Sequence, residues 1–191
     1  MINKKIKITG IVQGVGFRPF VYNLALKYDI KGWVNNDEKG VNILLSSSEE
    51  NIKNFINELK SNPPILARID SINIEKITEI KEYKTFEIIQ SESSKNKSTI
   101  ISPDIAICDD CIEDINDMSN FRYSYSLTNC TNCGPRYSII KTVPYDRINT
   151  SMFSFELCEK CKNEYENPTN RRYHAQPIAC EKCGPNVVLY N

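Results

Sequence analysis

All eight cysteines of the 191-residue chain fall in two copies of one spacing pattern. In each copy two Cys-x2-Cys pairs are separated by eighteen residues, and the second copy begins fifty residues after the first. Four thiolates match the closed tetrahedral site of structural zinc, and this spacing is a strong zinc signal. We therefore expect two structural Zn2+ ions, one held by Cys108, Cys111, Cys130 and Cys133, the other by Cys158, Cys161, Cys180 and Cys183.

The cysteine spacing leaves the pairing of the thiols open. Equal gaps favour sequential sites, but two neighbouring modules could also exchange Cys-x2-Cys pairs and bind zinc in an interleaved way. Disulfides would need a secreted chain. The first nine residues alternate instead of forming the apolar run of a signal peptide, and no stretch is long enough to span a bilayer. We therefore expect a reduced, cytoplasmic protein with no membrane partner.

Charge and cysteine content divide the chain into two parts. Residues 1–103 carry 15 Lys+Arg against 12 Asp+Glu, or +3, and residues 104–191 carry 9 against 12, or −3. Two Zn(Cys)4 centres add about −2 each, which opposes phosphate binding, so no nucleic acid is expected as a partner. The expected domain boundaries are 1–91 for the first domain, 92–103 for a polar linker, 104–191 for the zinc-binding domain, and 108–133 and 158–183 for its two modules.

The first domain shows the periodicities of an α+β fold. Alternating or β-branched runs predict strands at 5–9, 32–36, 41–45, 69–77 and 86–89. Apolar residues at helical spacing predict one helix from Phe17 and a second one capped by Ser48. The buried stripe of the second helix is predicted to be Ile52, Phe55, Ile56 and Leu59. The order βαββαβ predicts a ferredoxin-like antiparallel sheet with both helices on one face.

The junction of the first strand and helix has the features of an anion site. Gln13-Gly14-Val15-Gly16-Phe17-Arg18 places two glycines where a backbone approaches a ligand closely. Successive amides before a helix N-terminus form an anion cradle, and an arginine supplies donors suited to phosphate. Because Gly-x-Gly is a weak motif, a tight turn followed by a solvated arginine is the more common interpretation on spacing alone.

Residues 4–91 resemble the acylphosphatase family. The resemblance rests on the block Gly10–Arg18, the block Gly32-Trp33-Val34-Asn35-Asn36 and the following Lys39-Gly40-Val41. It implies direct hydrolysis of acyl phosphates, with Arg18 binding the phosphoryl group and Asn36 positioning the attacking water. Asn35 is a neighbouring alternative, which a regular strand would point to the opposite face. The phosphate-binding residues that the resemblance implies are Gln13, Gly14, Val15, Gly16, Phe17 and Arg18.

The repeat in the second domain extends beyond its cysteines. Asn120-Phe121-Arg122-Tyr123 aligns with Asn170-Arg171-Arg172-Tyr173, and each copy ends in Cys-Gly-Pro. These arginines could contact nucleic acid, but their acidic surroundings favour structural contacts. The only histidine, His174, is expected to be structural, because eight thiols already fill both sites.

The two domains together resemble the N-terminal part of the HypF family of carbamoyltransferases, which helps to make the cyanide ligands of nickel–iron hydrogenase. Three further blocks carry the resemblance: residues 129–136, 144–147 and 172–180. The resemblance implies that carbamoyl phosphate is the substrate and that residues 1–191 are a fragment. It also implies that ATP is used only by downstream domains, and that HypE accepts the carbamoyl group from the full-length protein.

Two other functions fit parts of the sequence. One is a zinc-ribbon module that binds protein or nucleic acid and carries an inactive acylphosphatase-like domain. The other is an acylphosphatase that acts alone on many substrates. Assaying the purified chain with carbamoyl phosphate and acetyl phosphate distinguishes the enzymatic functions from the binding module.

Overall fold

A five-stranded sheet with two helices forms the first part of the chain. The computed structural model describes residues 1–77, 83–91 and 100–189. The backbone divides into two units, Met1–Ile101 and Ser102–Asn191. The predicted linker at 92–103 lies mostly outside the described residues, since 92–99 are not among them. The elements of the first unit are β1 (Ile2–Ile11), α1 (Phe17–Lys27), β2 (Lys31–Asp37), β3 (Gly40–Ser47), α2 (Glu49–Ser61), β4 (Arg68–Ile77) and β5 (Phe86–Ile88).

The strands lie in the order β4-β1-β3-β2-β5. The first four pair antiparallel, as predicted, but β5 pairs with β2 in parallel, with Phe86 opposite Gly32. The prediction of an antiparallel sheet is therefore wrong for the fifth strand. The reason is topological: β5 runs opposite to β4, its predecessor in the chain, and β4 itself runs opposite to β2.

Both helices pack on one apolar face of the sheet. The register places Ile6 opposite Ile43 and Ile8 opposite Val41, and all four side chains are fully buried. Side chains of both helices belong to the same buried cluster. Ser48 caps α2 as predicted, because its hydroxyl accepts a hydrogen bond from the Asn51 amide at 3.1 Å. The predicted stripe of α2 is confirmed, since its four buried residues are Ile52, Phe55, Ile56 and Leu59.

The second unit contains little regular structure. Its elements are α3 (Asp109–Asn116), α4 (Glu159–Glu166) and two short 3-10 helices (Arg147–Asn149 and Ser151–Ser154). Helices α3 and α4 begin fifty residues apart, so the sequence repeat is also a structural repeat. The buried apolar clusters of this unit are small: one contains three cysteines, one contains two cysteines with Ala175 and Ile178, and one contains Tyr125, Met152 and Ala179. Such a core is too small to stabilise the fold by hydrophobic burial alone.

Membrane insertion finds no support in the helices. Among the described residues, no helix is both long enough and apolar enough to cross a bilayer.

The core assignment predicts a contrast between two isoleucines. Ile52 on α2 is 0% exposed and Ile65, just beyond α2, is 91% exposed. We expect Ile52→Ala to lower the free energy of unfolding by about 2–5 kcal/mol, because it removes buried methyl groups and leaves a cavity. The matched control Ile65→Ala should stay within about 0.5 kcal/mol of wild type.

Urea unfolding followed by tryptophan fluorescence measures this contrast. Trp33 is the only tryptophan of the chain and lies on β2, so its emission reports on the first unit alone. Equal losses of stability in the two variants would contradict the placement of Ile52 in the core.

Candidate active site and metal centres

The loop between β1 and α1 is shaped by two glycines. Gly14 and Gly16 both have a φ of +74°, in the left-handed region that costs other residues about 1–2 kcal/mol. Val12 and Val15 are buried and anchor the loop to the core. The first hydrogen bond of α1 runs from the Phe20 amide to the Gly16 carbonyl, so the amides before Phe20 lie outside the helix ladder. Amides at such a helix N-terminus suit an anion.

Gln13 fastens this loop to the hairpin between β2 and β3. Its Nε2 donates to the carbonyl oxygen of Asp37 at 2.7 Å and to that of Gly40 at 2.8 Å. The hairpin turn lies where the sequence predicts it, between these two residues. The Gln13 side chain therefore links the glycine loop to the hairpin.

Arg18 and Asn36 lie at the same end of the sheet. β1 and β2 run in the same direction, and both Ile8 and Asn36 are opposite Val41 of β3. The end of β2 therefore adjoins the loop that follows β1, which the two Gln13 bonds also show. Asn36 is 1% exposed on the helix-covered face, and Arg18 is 8% exposed in the first turn of α1.

The register separates Asn35 from Asn36. Asn35 lies on the opposite face, where its Oδ1 accepts from Asn42 at 3.3 Å and its Nδ2 donates to the Gln90 carbonyl at 3.4 Å. Asn36 Oδ1, in contrast, is buried and has no hydrogen-bond partner among the described residues. A buried acceptor without a partner costs about 1–3 kcal/mol.

Asp37 stiffens the hairpin beside this site. Its carboxylate accepts hydrogen bonds from Lys7 at 2.9 Å and Asn42 at 3.1 Å, and from the amides of Lys39 and Gly40 at 2.7 and 2.9 Å. Burial alone would raise the pKa of Asp37, but the bonds from Asn42, Lys7 and Lys39 outweigh it and hold the pKa below its usual value. Asp37 is thus an anion that keeps the hairpin in one geometry.

The eight cysteines form two groups in sequential order. Within each group all four Sγ atoms lie within 4.8 Å of one another. Neighbouring Sγ atoms are 3.7 and 3.8 Å apart in the first group and 3.6 Å apart in the second. The first group comprises Cys108, Cys111, Cys130 and Cys133, and the second comprises Cys158, Cys161, Cys180 and Cys183.

These distances fit a tetrahedral zinc ion. Four sulfurs at about 2.3 Å from one zinc ion lie about 3.8 Å from each other, whereas a disulfide needs about 2.05 Å. Each first pair begins a helix, since Cys108 and Cys158 are the N-cap residues of α3 and α4. Zinc would therefore join the start of a helix to the Cys-x2-Cys turn that follows it.

The three arginines singled out from the repeat contact protein groups. Arg122 and Arg172 are 1% and 3% exposed, which leaves no surface for nucleic acid. Arg122 donates to Cys161 Sγ at 3.2 Å, and Arg171 donates to Cys111 Sγ at 2.9 Å. Burial lowers the pKa of Arg122, but Glu164 together with Cys161 and Cys180 outweighs it and raises the pKa above its usual value. The structural interpretation of these arginines is confirmed.

His174 takes no part in either thiol group. Its φ is +52°, and its ring centroid lies 5.0 Å from that of Tyr165 and 4.6 Å from that of Tyr173.

Sequence reasoning missed the bonds from Arg122 and Arg172 to the cysteines. The available signal was their identical place in the two repeats, fifty residues apart.

Comparison with known proteins supports both halves of this description. Residues 4–88 match the Acylphosphatase family, and residues 107–140 and 157–190 match the HypF finger. An acylphosphatase of Listeria monocytogenes (serotype 4b, strain F2365) is 42% identical over 85 residues, which cover 44% of this chain and 91% of that protein.

Longer relatives match across both units. The probable carbamoyltransferase HypF of Methanocaldococcus jannaschii is 52% identical over 146 residues, 76% of this chain and 19% of that protein. A crystal structure of full-length HypF in a phosphate- and nucleotide-bound form matches with a TM-score of 0.93 and 50% identity, over 97% of this chain and 24% of that one.

The chain thus spans about a fifth of the length of the curated carbamoyltransferases that it matches. The matched segments begin in the acylphosphatase-like unit and continue through both zinc-finger repeats. With its acylphosphatase-like domain and its two HypF fingers, the chain belongs to the HypF carbamoyltransferase family.

Proposed function

We propose that the first unit hydrolyses acyl phosphates and that carbamoyl phosphate is its substrate. The observation that carries the proposal is the buried Asn36 Oδ1, which has no partner among the described residues and lies at the end of the sheet where the glycine loop meets α1. The acylphosphatase and HypF relatives support the reaction class and the choice of substrate.

In the proposed mechanism the protein holds both reactants of an in-line displacement. The amides before Phe20 and the Arg18 guanidinium bind the phosphoryl oxygens and stabilise the charge that spreads over them in the transition state. Asn36 Oδ1 accepts a hydrogen bond from a water molecule and orients the water oxygen towards the phosphorus atom. The new bond joins water oxygen to phosphorus, the bond from phosphorus to the acyl oxygen breaks, and carbamate and inorganic phosphate leave.

We also propose that each cysteine group holds one structural zinc ion. The eight ligands are the cysteines of the two groups, whose sulfur spacing suits this ion. Bound zinc supplies the cross-link that the small apolar core cannot. Metal analysis of the purified chain should give two zinc ions per chain, and one or none after gentle purification would contradict the proposal.

The remaining steps belong to the full-length protein. We propose that carbamate passes from the first unit to a downstream domain that consumes ATP, and that HypE is the final acceptor of the carbamoyl group. The zinc-binding unit would then align the first site with those domains in a cytoplasmic enzyme. The support for these steps is the membership of the chain in the HypF carbamoyltransferase family.

A first prediction concerns Arg18. We expect Arg18→Ala to lower kcat/KM for carbamoyl phosphate and acetyl phosphate by about 10²–10³, because it removes a donor that stabilises the transition state. Unfolding of the first unit, followed by Trp33 fluorescence, should change little. Activity within a few-fold of wild type would exclude Arg18 from the mechanism.

Asn35 and Asn36 offer a matched pair of substitutions. Asn36→Ala should lower kcat by about 10², because the attacking water loses its orientation. Asn35→Ala should keep activity within a few-fold of wild type and lower stability by about 1–3 kcal/mol, since the groups bonded to Asn35 lose their partner. If Asn35→Ala lowered kcat and Asn36→Ala lowered only stability, Asn35 would be the residue that holds water.

Zinc removal should separate the two units functionally. We expect a chelator to leave the hydrolysis rate of the whole chain largely unchanged, because the site in the first unit is built from residues that precede the cysteines. Limited proteolysis should then cut the second unit and spare the first. A rate that falls in proportion to zinc loss would show that the second unit helps to build the active site.

A further inference from the structure

The two zinc-finger repeats exchange arginines. Arg122 lies in the first repeat, and its guanidinium bonds to three residues of the second. Its Nε donates to the Ala179 carbonyl at 2.9 Å, and its Nη2 donates to Cys161 Sγ at 3.2 Å and to Glu164 Oε2 at 2.5 Å. The Arg122 side chain is fully buried, and these contacts satisfy its Nε and Nη2, while its Nη1 has no hydrogen-bond partner among the described residues.

The second repeat makes the same contacts in return. Arg172 Nε donates to the Asn129 carbonyl at 2.9 Å, and Arg172 Nη2 donates to Cys111 Sγ at 3.6 Å and to the Asp114 carboxylate. Each donor and each acceptor is shifted by fifty positions from its counterpart, as 172−122, 179−129, 161−111 and 164−114 show. The exchange between Arg122 and Arg172 is therefore symmetric in the duplicated unit. Arg171, which aligns with Phe121, adds a bond to Cys111 Sγ at 2.9 Å that the first repeat does not return.

The position of each arginine connects it to its own zinc site. Arg122 lies between Cys111 and Cys130, on the loop that zinc binding by the first cysteine group closes. It donates to Cys161, a thiolate of the second group. Arg172 likewise lies on the loop that the second group closes, between its two Cys-x2-Cys pairs. Closing either loop thus holds the arginine that the other site uses.

The charge of the sites makes this exchange energetically important. A Zn(Cys)4 centre has a net charge of about −2, and five of the eight cysteines are buried, so an adjacent guanidinium with N–H···S bonds stabilises it. Removing one member of a buried ion pair leaves the other uncompensated, which is strongly unfavourable. If the other repeat holds no zinc, its loop is not closed and its arginine is not held beside the thiolates of the first site. That site then binds zinc more weakly.

We propose that the two zinc sites are coupled through Arg122 and Arg172, so that the chain takes up its two zinc ions cooperatively. The inference rests on the proposed function, because it takes the cysteine groups to be zinc sites. It adds that neither repeat is an independent zinc finger. Thermodynamic coupling of two sites typically corresponds to about a 5–150-fold change in affinity, and it is reciprocal.

Native mass spectrometry at one equivalent of zinc per chain tests the coupling. Independent sites, whatever their two affinities, leave at least half of the chains singly loaded when half of all sites are filled. For two sites of equal intrinsic affinity, a coupling of about 5–150-fold lowers that fraction to about 30% or less. We expect the reduced, metal-stripped full chain to populate mainly the zinc-free and two-zinc forms.

Four variants assign the coupling to the arginines. Arg122→Ala and Arg172→Ala should each raise the singly loaded fraction above that of the wild type, and the two together should raise it further, towards half. The control Lys162→Ala removes an exposed cation next to Cys161 and should behave as wild type. A wild-type chain that is at least half singly loaded, or a Lys162→Ala effect equal to that of the arginine variants, would overturn the proposal.

A second measurement leaves both arginines in place. Cys158→Ser together with Cys183→Ser disables the second site, and neither thiol bonds to these arginines in the described contacts. Competition with a chelator should then show zinc binding at the first site weakened about 5–150-fold relative to wild type. Unchanged affinity there would refute coupling, whereas a wild-type chain that binds fewer than two zinc ions in excess metal would refute the zinc sites themselves.

Discussion

Concentrated negative charge with little access to water is the constraint that both units of the chain must satisfy. In the first unit the charge belongs to the proposed phosphoryl ligand, and in the second to eight cysteine thiolates with the proposed zinc ions. Both units place backbone amides and buried arginines next to this negative charge. The arginines are Arg18 in the first unit and Arg122 and Arg172 in the second. The surrounding loops and turns fix the positions of these arginines.

Local physical rules account for the parts of the fold that could be predicted. The stripe from Ile52 to Leu59 and the Ser48 cap depend on residues within a few positions of each other, and both appear as expected. The direction of β5 does not follow from local pattern. Its neighbour is β2, about fifty residues earlier in the chain, and only the order of the strands decides how they pair.

The site shows the same division between local and distant information. The motif of residues 13–18 predicts the position of the loop, and the loop contains two glycines with positive φ, as a glycine motif of this kind indicates. The family resemblance assigned Asn36, with Asn35 as the alternative, and the strand register adds that their side chains lie on opposite faces of β2. The contact of Arg122 with Cys161 joins residues 39 positions apart in different repeats, so the repeat alignment gives its symmetry but not its partner.

The central claim is that a water molecule held by Asn36 attacks the phosphorus atom of a substrate bound by Arg18 and the glycine loop. Hydrolysis of acetyl phosphate in water enriched in oxygen-18 tests it most directly. Mass spectrometry of the products should find one labelled oxygen in the inorganic phosphate and none in the acetate. Label in the acetate and not in the phosphate would place the attack at carbon and contradict the account.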